Sequence, residues 1–107
     1  TMDLKAAGNH LYLVGTTRAE LAGSHLELVL DESGQKRPTD VPAAAWTTVP
    51  RVNLEQAPKL FLALHELIAA GNVVACHDLS EGGLAVALAE MAFAGDRGAE
   101  IELTAAL

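Results

Sequence analysis

The hydrophobic pattern in the second half of the chain changes its period from one segment to the next. From Asn53 to about Ala70, apolar residues recur at spacings of three and four, which places them on one helix face. Residues 73–76 form a short apolar run typical of a buried strand. Residues 84–94 are apolar nearly all round and predict a buried helix. In residues 99–103, apolar and polar residues alternate as they do in a strand. Helices alternating with strands predict an α+β or α/β architecture, with helices covering a mixed β-sheet.

The first half of the chain carries shorter signals. Residues 11–14 are an apolar run bounded by glycines and predict a strand. Thr17-Arg18-Ala19-Glu20 has the S/T-x-x-E form of a helix capping box. Leucines alternate with other residues over 25–30, which predicts a second strand. Before the long helix, Asn53 is expected to act as the N-cap, and Pro58 should bend the helix or delay its start.

Residues 31–50 show no strong periodicity and contain three prolines, so we expect a long loop or an insertion. Trp46 lies in this segment and is predicted to anchor it on the core, because indole rings are usually buried. A chain of 107 residues makes one domain at most. The predicted sheet ends near Leu107 without a final covering element, and we therefore expect a truncated part of a larger protein.

Composition excludes several classes of function. Fourteen acidic against seven basic residues give a formal charge of −7 and a pI near 4.9, which argues against a nucleic-acid or membrane-surface binder. The single cysteine, Cys76, rules out an internal disulfide framework and a thiolate zinc cage, and we expect it to be a buried apolar thiol. The histidines have no zinc-binding spacing. No apolar run is long enough to span a membrane, and we expect a cytoplasmic protein.

The turn at residues 77–83 holds the groups best suited to chemistry. The predicted strand delivers the acid Asp78 and the hydroxyl of Ser80, and Gly82 and Gly83 then open a helix. Free N–H groups at a helix N-terminus attract phosphate, and a carboxylate beside them can hold Mg²⁺. A structural interpretation stays open, in which Asp78 or Ser80 caps the helix and the glycines allow close packing. The turn matches neither common phosphate-binding fingerprint.

Residues 77–91, HDLSEGGLAVALAEM, resemble the signature of the PurL type of phosphoribosylformylglycinamidine synthase. The similarity is to the C-terminal AIR-synthase-related domain in the second half of that enzyme. Residues 3–5, 11–15 and 20–25 resemble the start of the same domain, in the same order. The resemblance covers the whole chain except residues 31–50.

The resemblance implies an ATP-dependent ligase step of de novo purine biosynthesis. The family converts formylglycinamide ribonucleotide, glutamine and ATP to formylglycinamidine ribonucleotide, glutamate, ADP and phosphate. By the same resemblance, Asp78 matches a magnesium ligand and Ser80 a nucleotide contact. Gly82 and Gly83 are expected to bind nucleotide through their backbone, because glycine lets a ligand approach it closely. In the large form of the family, this second-half site is regarded as structural.

The resemblance assigns no catalytic residue to this chain, because the family's catalytic histidine lies in AIR-synthase N-terminal domains. The expected partners are those domains and a glutaminase domain or subunit, with a homodimer as a candidate assembly, and we expect the isolated chain to be inactive. One alternative is a non-catalytic binding or oligomerisation module that uses the apolar helix from Leu84. Another is a different ATP-dependent enzyme of the AIR-synthase superfamily.

Overall fold

The computed structural model describes residues 1–103 of the chain. Three α-helices occur in this part, α1 (His25–Ser33), α2 (Ala57–Ala69) and α3 (Gly83–Gly95), together with a 3₁₀-helix at Ala43–Thr47. The chain divides into two compact units. One comprises Thr1–Gly15 and the chain from Asn53 onward, and the other is Thr16–Val52.

The predicted mixed β-sheet is wrong, because residues 1–103 contain no strand. Residues 11–14, 73–76 and 99–103 have irregular backbone instead. Within residues 73–76, the Cys76 N–H donates to the carbonyl of Thr1, which lies outside the three predicted strands, at 3.0 Å. An alternating or apolar run indicates only that a segment suits a strand. A sheet also requires a second segment in register to pair with its N–H and C=O groups.

The predicted strand at residues 25–30 is α1, and its local capping explains the difference. The Ser24 hydroxyl accepts from the Glu27 N–H at 3.3 Å, and the Glu27 carboxylate accepts from the Gly23 N–H at 2.8 Å. The first bond satisfies a donor that the first helical turn leaves free, and the second ties the residue before the N-cap to the helix. The predicted capping box at residues 17–20 starts no helix. The same sequence form operates seven residues later, and Gly34 ends α1 in a left-handed conformation.

The Thr16–Val52 unit is built around the buried residues Leu30, Ala45 and Trp46. The Leu21 N–H donates to the Ala45 carbonyl at 2.8 Å, which ties the segment before α1 to the 3₁₀-helix. Trp46 is only 6% exposed, and the prediction that it anchors this segment is confirmed. The predicted loop at 31–50 therefore contains both the end of α1 and a short helix of its own.

Arg37 connects Trp46 to α1. Its guanidinium lies 5.1 Å from the centre of the indole ring, 2.7 Å from the Glu27 carboxylate and 3.6 Å from that of Asp31. A cation over an aromatic face is attracted by the ring quadrupole. The Glu27 carboxylate therefore both binds the Gly23 N–H just before α1 and orients the cation that covers Trp46.

We expect Arg37→Met to lower the free energy of unfolding by about 1 kcal/mol, because it removes a partly exposed cation–π contact and a surface ion pair. Trp46 is the only tryptophan of the sequence, so its fluorescence reports on this contact directly. Lys36→Met makes the same change of charge at the exposed neighbouring position and should leave both signals unchanged. Wild-type emission and stability in Arg37→Met would contradict the contact.

The N-cap of α2 is Gln56, which makes no side-chain capping hydrogen bond, so the prediction that Asn53 is the N-cap is wrong. The Asn53 side-chain oxygen accepts from the Glu55 and Gln56 N–H groups, each at 3.0 Å, and forms a turn before the helix. The helix itself begins at Ala57 with Pro58 in its first turn, which confirms that the proline delays the start. No residue of α2 is buried in the described part of the chain.

The N-terminal segment crosses α3 at close range. The Leu4 N–H donates to the Met91 carbonyl at 3.0 Å, and Ala87 and Met91 are buried. A Cβ atom on Gly95 would lie 2.8 Å from the Leu4 nitrogen and would also overlap the Leu4 carbonyl oxygen. Gly95 ends α3 as predicted and also allows this approach. The prediction of a buried helix holds for one side of α3 only, because Phe93 is 82% exposed.

Gly95→Ala should therefore destabilise the chain by about 1–3 kcal/mol, the range of overpacking, although alanine is the better helix former. The matched control is Gly98→Ala, where no atom lies within 4 Å of the new methyl group. Thermal unfolding of both variants measures the difference. Equal midpoints for the two would show that Leu4 does not lie against Gly95.

None of the helices formed by residues 1–103 is long and apolar enough to cross a membrane.

Candidate functional site

The turn at residues 77–83 presents its acid and hydroxyl to solvent. The Asp78 side chain is 84% exposed, and Ser80 is exposed as well. Neither side chain caps α3, because the N-cap is Gly82 and no side chain hydrogen-bonds there. The structural alternative in which Asp78 or Ser80 caps the helix is therefore wrong. Ser80 stabilises the turn through its backbone, because its carbonyl accepts a hydrogen bond from the Gly83 N–H at 3.2 Å.

The two glycines of the turn are required for different reasons. Both adopt positive φ, 83° at Gly82 and 62° at Gly83. A Cβ on Gly82 would lie 2.7 Å from the Cβ of Val86, whereas a Cβ on Gly83 would meet no atom within 4 Å. Gly82 thus serves close packing as well as the turn, and the space beside Gly83 is open to a ligand.

Gly82→Ala and Gly83→Ala share the strain of a left-handed alanine, about 1–2 kcal/mol. Only Gly82→Ala adds an overlap with Val86, so it should lower the unfolding midpoint further than Gly83→Ala. Adding Val86→Ala should restore part of that excess, since it removes the overlapping methyl groups. Chemical denaturation of the three variants tests this order, and equal losses at both glycines would contradict it.

His77 joins the turn to α3. Its Nε2 lies 2.9 Å from the Glu90 carboxylate, and its Nδ1 lies 2.8 Å from the Asp78 carbonyl oxygen. The Asp78 carboxylate is 3.4 Å from the same Nδ1. The imidazole is 12% exposed and forms a bridge between the helix and the turn.

Sequence reasoning missed this bridge, because it treated His77 as one of four scattered histidines. A signal was available in Glu90, the one charge on an otherwise apolar helix. A carboxylate on a largely apolar helix generally has a polar partner, and a histidine thirteen residues earlier is a candidate for one. The expectation for Cys76 is also wrong, because this free thiol is exposed.

The described residues contain no group of three or more histidine, cysteine or acidic side chains placed to hold a metal ion. Protein side chains at this turn therefore do not form a metal site of three or more ligands, and Asp78 would contribute one carboxylate. Mg²⁺ commonly keeps several waters and takes one or two protein carboxylates together with phosphate oxygens. A solvent-facing carboxylate beside a helix N-terminus without a side-chain cap fits a magnesium–nucleotide better than a metal held by protein alone.

Other polar features lie elsewhere in the same unit. The Lys5 ammonium, 2.6 Å from the Asp3 carboxylate, and a hydrogen bond from Thr1 hold the pKa of Asp3 at about 2. A shallow depression is lined by Asn9, His10, Leu11, Glu100, Ile101 and Glu102, and a second by Ala92, Phe93, Asp96, Arg97 and Gly98. Neither includes a residue of the 77–83 turn.

Residues 6–106 match the family described as AIR synthase related protein, C-terminal domain. The match covers nearly the whole chain. The chain belongs to this family, and the resemblance drawn from residues 77–91 is confirmed.

The chain is similar to several proteins named phosphoribosylformylglycinamidine synthase subunit PurL. The protein from Alkaliphilus metalliredigens is 38% identical over 107 residues, which is 100% of this chain and 13% of the relative. The protein from Erythrobacter litoralis is 42% identical over 112 residues, which is 95% of this chain and 13% of the relative. The protein from Moorella thermoacetica is 39% identical over 106 residues, which is 99% of this chain and 13% of the relative. The chain thus spans about an eighth of the length of these relatives. No solved structure matches it significantly.

Proposed function

We propose that the chain is a segment of a phosphoribosylformylglycinamidine synthase and contributes to purine biosynthesis. The support is the family match over residues 6–106 and relatives of that name that align along the chain at 36–42% identity. Because the chain spans 13% of those relatives, the proposal concerns the full-length protein that carries these residues.

In this proposal, the full-length protein converts formylglycinamide ribonucleotide, glutamine and ATP to formylglycinamidine ribonucleotide, glutamate, ADP and phosphate. AIR-synthase N-terminal domains supply the catalytic residues, and a glutaminase domain or subunit supplies ammonia. No residue of this chain acts as a catalyst, so the isolated chain is inactive. Its role is to hold a magnesium–nucleotide.

The solvent-facing carboxylate of Asp78 beside the open N-terminus of α3 is the observation that carries this role. Asp78 binds Mg²⁺, Ser80 contacts the nucleotide, and the backbone at Gly82 and Gly83 lets phosphate approach. The helix N-terminus contributes about half a positive charge toward phosphate. The chain has a formal charge of −7, so a metal ion is the natural means of offsetting phosphate charge.

Asp78→Asn should weaken Mg²⁺-dependent ADP binding by the full-length protein about tenfold or more, since even outer contacts of a metal site produce losses of that size. Isothermal titration with ADP and Mg²⁺ measures the affinity. Glu81→Gln removes the same charge from the same turn and serves as the control, with binding close to wild type. Equal losses in both variants would indicate a general charge effect and contradict a ligand role for Asp78.

A non-catalytic assembly module is the second candidate, and exposed apolar surface favours it. Phe61, Leu62, Leu67 and Ile68 of α2 are each 45–66% exposed in the described part of the chain, as is most of Phe93 on α3. Growth of a purine auxotroph that lacks the synthase separates the candidates, because only the enzyme restores it. The module is favoured if the gene does not restore growth and the protein forms a dimer whose mass does not change with nucleotide and Mg²⁺.

A further inference from the structure

Glu90 is the charged residue of α3 and lies one turn before the end of the helix. Its Oε2 is 2.9 Å from His77 Nε2, although the Glu90 side chain is 49% exposed and could be fully hydrated. Water competes well for an exposed carboxylate, so the pair adds little to stability by itself. What the pair does fix is the orientation of the imidazole, which is 12% exposed.

The other ring nitrogen, Nδ1, contacts the turn at Asp78. The Asp78 carbonyl oxygen and the Glu90 carboxylate can both only accept. The two contacts are therefore hydrogen bonds at the same time when the imidazole carries a proton on each nitrogen, with Nδ1 donating to the Asp78 carbonyl across 2.8 Å and Nε2 donating to Glu90. The Asp78 carboxylate lies 3.4 Å from Nδ1. The carbonyl and the carboxylate of Asp78 thus both lie close to Nδ1 of a ring that Glu90 holds in place.

We propose that Glu90 is a positioning residue for the magnesium–nucleotide site, acting through His77 to hold the carboxylate of Asp78 in place for the metal. This inference rests on the proposed function of the turn. Carboxylates that orient a metal-binding histidine through its second ring nitrogen are common, and losing such an outer partner typically weakens metal binding 10–100-fold. The arrangement here differs in that the histidine orients a carboxylate ligand rather than binding the metal itself.

The test is a Mg²⁺ titration of fluorescent ADP binding by the full-length protein. Glu90→Ala should raise the half-saturating Mg²⁺ concentration about tenfold, the lower end of outer-contact effects. Glu90→Gln keeps an oxygen that can accept from Nε2 and should recover most of the affinity. Glu66→Ala removes an exposed carboxylate from α2 and should behave as wild type.

A double-variant comparison separates positioning from general support of the fold. Both residues act on one metal contact in this proposal, so Glu90→Ala should cause little further loss in an Asp78→Asn background. These titrations extend to Mg²⁺ concentrations well above the wild-type midpoint, so that the weakened binding of the Asp78→Asn variants can still be measured. Loss by the same factor in both backgrounds, or no rescue by Glu90→Gln, would assign Glu90 a purely structural role and overturn the proposal.

The imidazole of His77 provides a direct readout of the contact. The ¹⁵N resonance of Nε2 should move in Glu90→Ala and stay near its wild-type position in Glu66→Ala. Wild-type protein that shows no Mg²⁺-dependent ADP binding overturns the proposed function and this inference with it. Wild-type protein that binds, loses binding in Asp78→Asn and keeps it in Glu90→Ala overturns the positioning role alone.

Discussion

The hydrogen bonds of His77 hold the turn before α3 against that helix. The ring connects the Glu90 carboxylate to the Asp78 carbonyl, and the turn is further shaped by the positive φ of Gly82 and its contact with Val86. Because these contacts fix the backbone, the side chains of Asp78 and Ser80 are left facing solvent. The candidate site therefore depends on groups that are not themselves the proposed ligands.

Local hydrogen bonds decide the secondary structure in the Thr16–Val52 unit. Alternating leucines suit a strand, but the Ser24 hydroxyl accepts from the Glu27 N–H in the first turn of a helix, and the Glu27 carboxylate accepts from the Gly23 N–H just before it. These residues therefore form α1. Trp46 is covered by Arg37, which is held in place by Glu27. The segment that looked like a featureless loop thereby has a small core of its own.

The family is established by the whole chain, whereas the role of this segment rests on one turn. Residues 6–106 match the AIR-synthase-related C-terminal domain, and the relatives are about eight times longer than the chain. One carboxylate cannot hold a metal tightly, so the phosphates of a nucleotide must complete the coordination in our proposal. In that proposal, the turn needs no cluster of three or more metal-binding side chains, and the described residues contain none.

The sequence by itself determined the family, the positions of α2 and α3, and the turn between residues 76 and 83. These follow from local causes: a helical period, the turn formed by Asn53, the delay imposed by Pro58 and glycines at helix ends. Only the tertiary structure decided that the apolar runs of residues 1–103 do not form a β-sheet. It also decided that Cys76 is exposed and that His77 contacts Glu90. Each of these depends on contacts between residues distant in sequence, and a local pattern carries no information about which distant group supplies the partner.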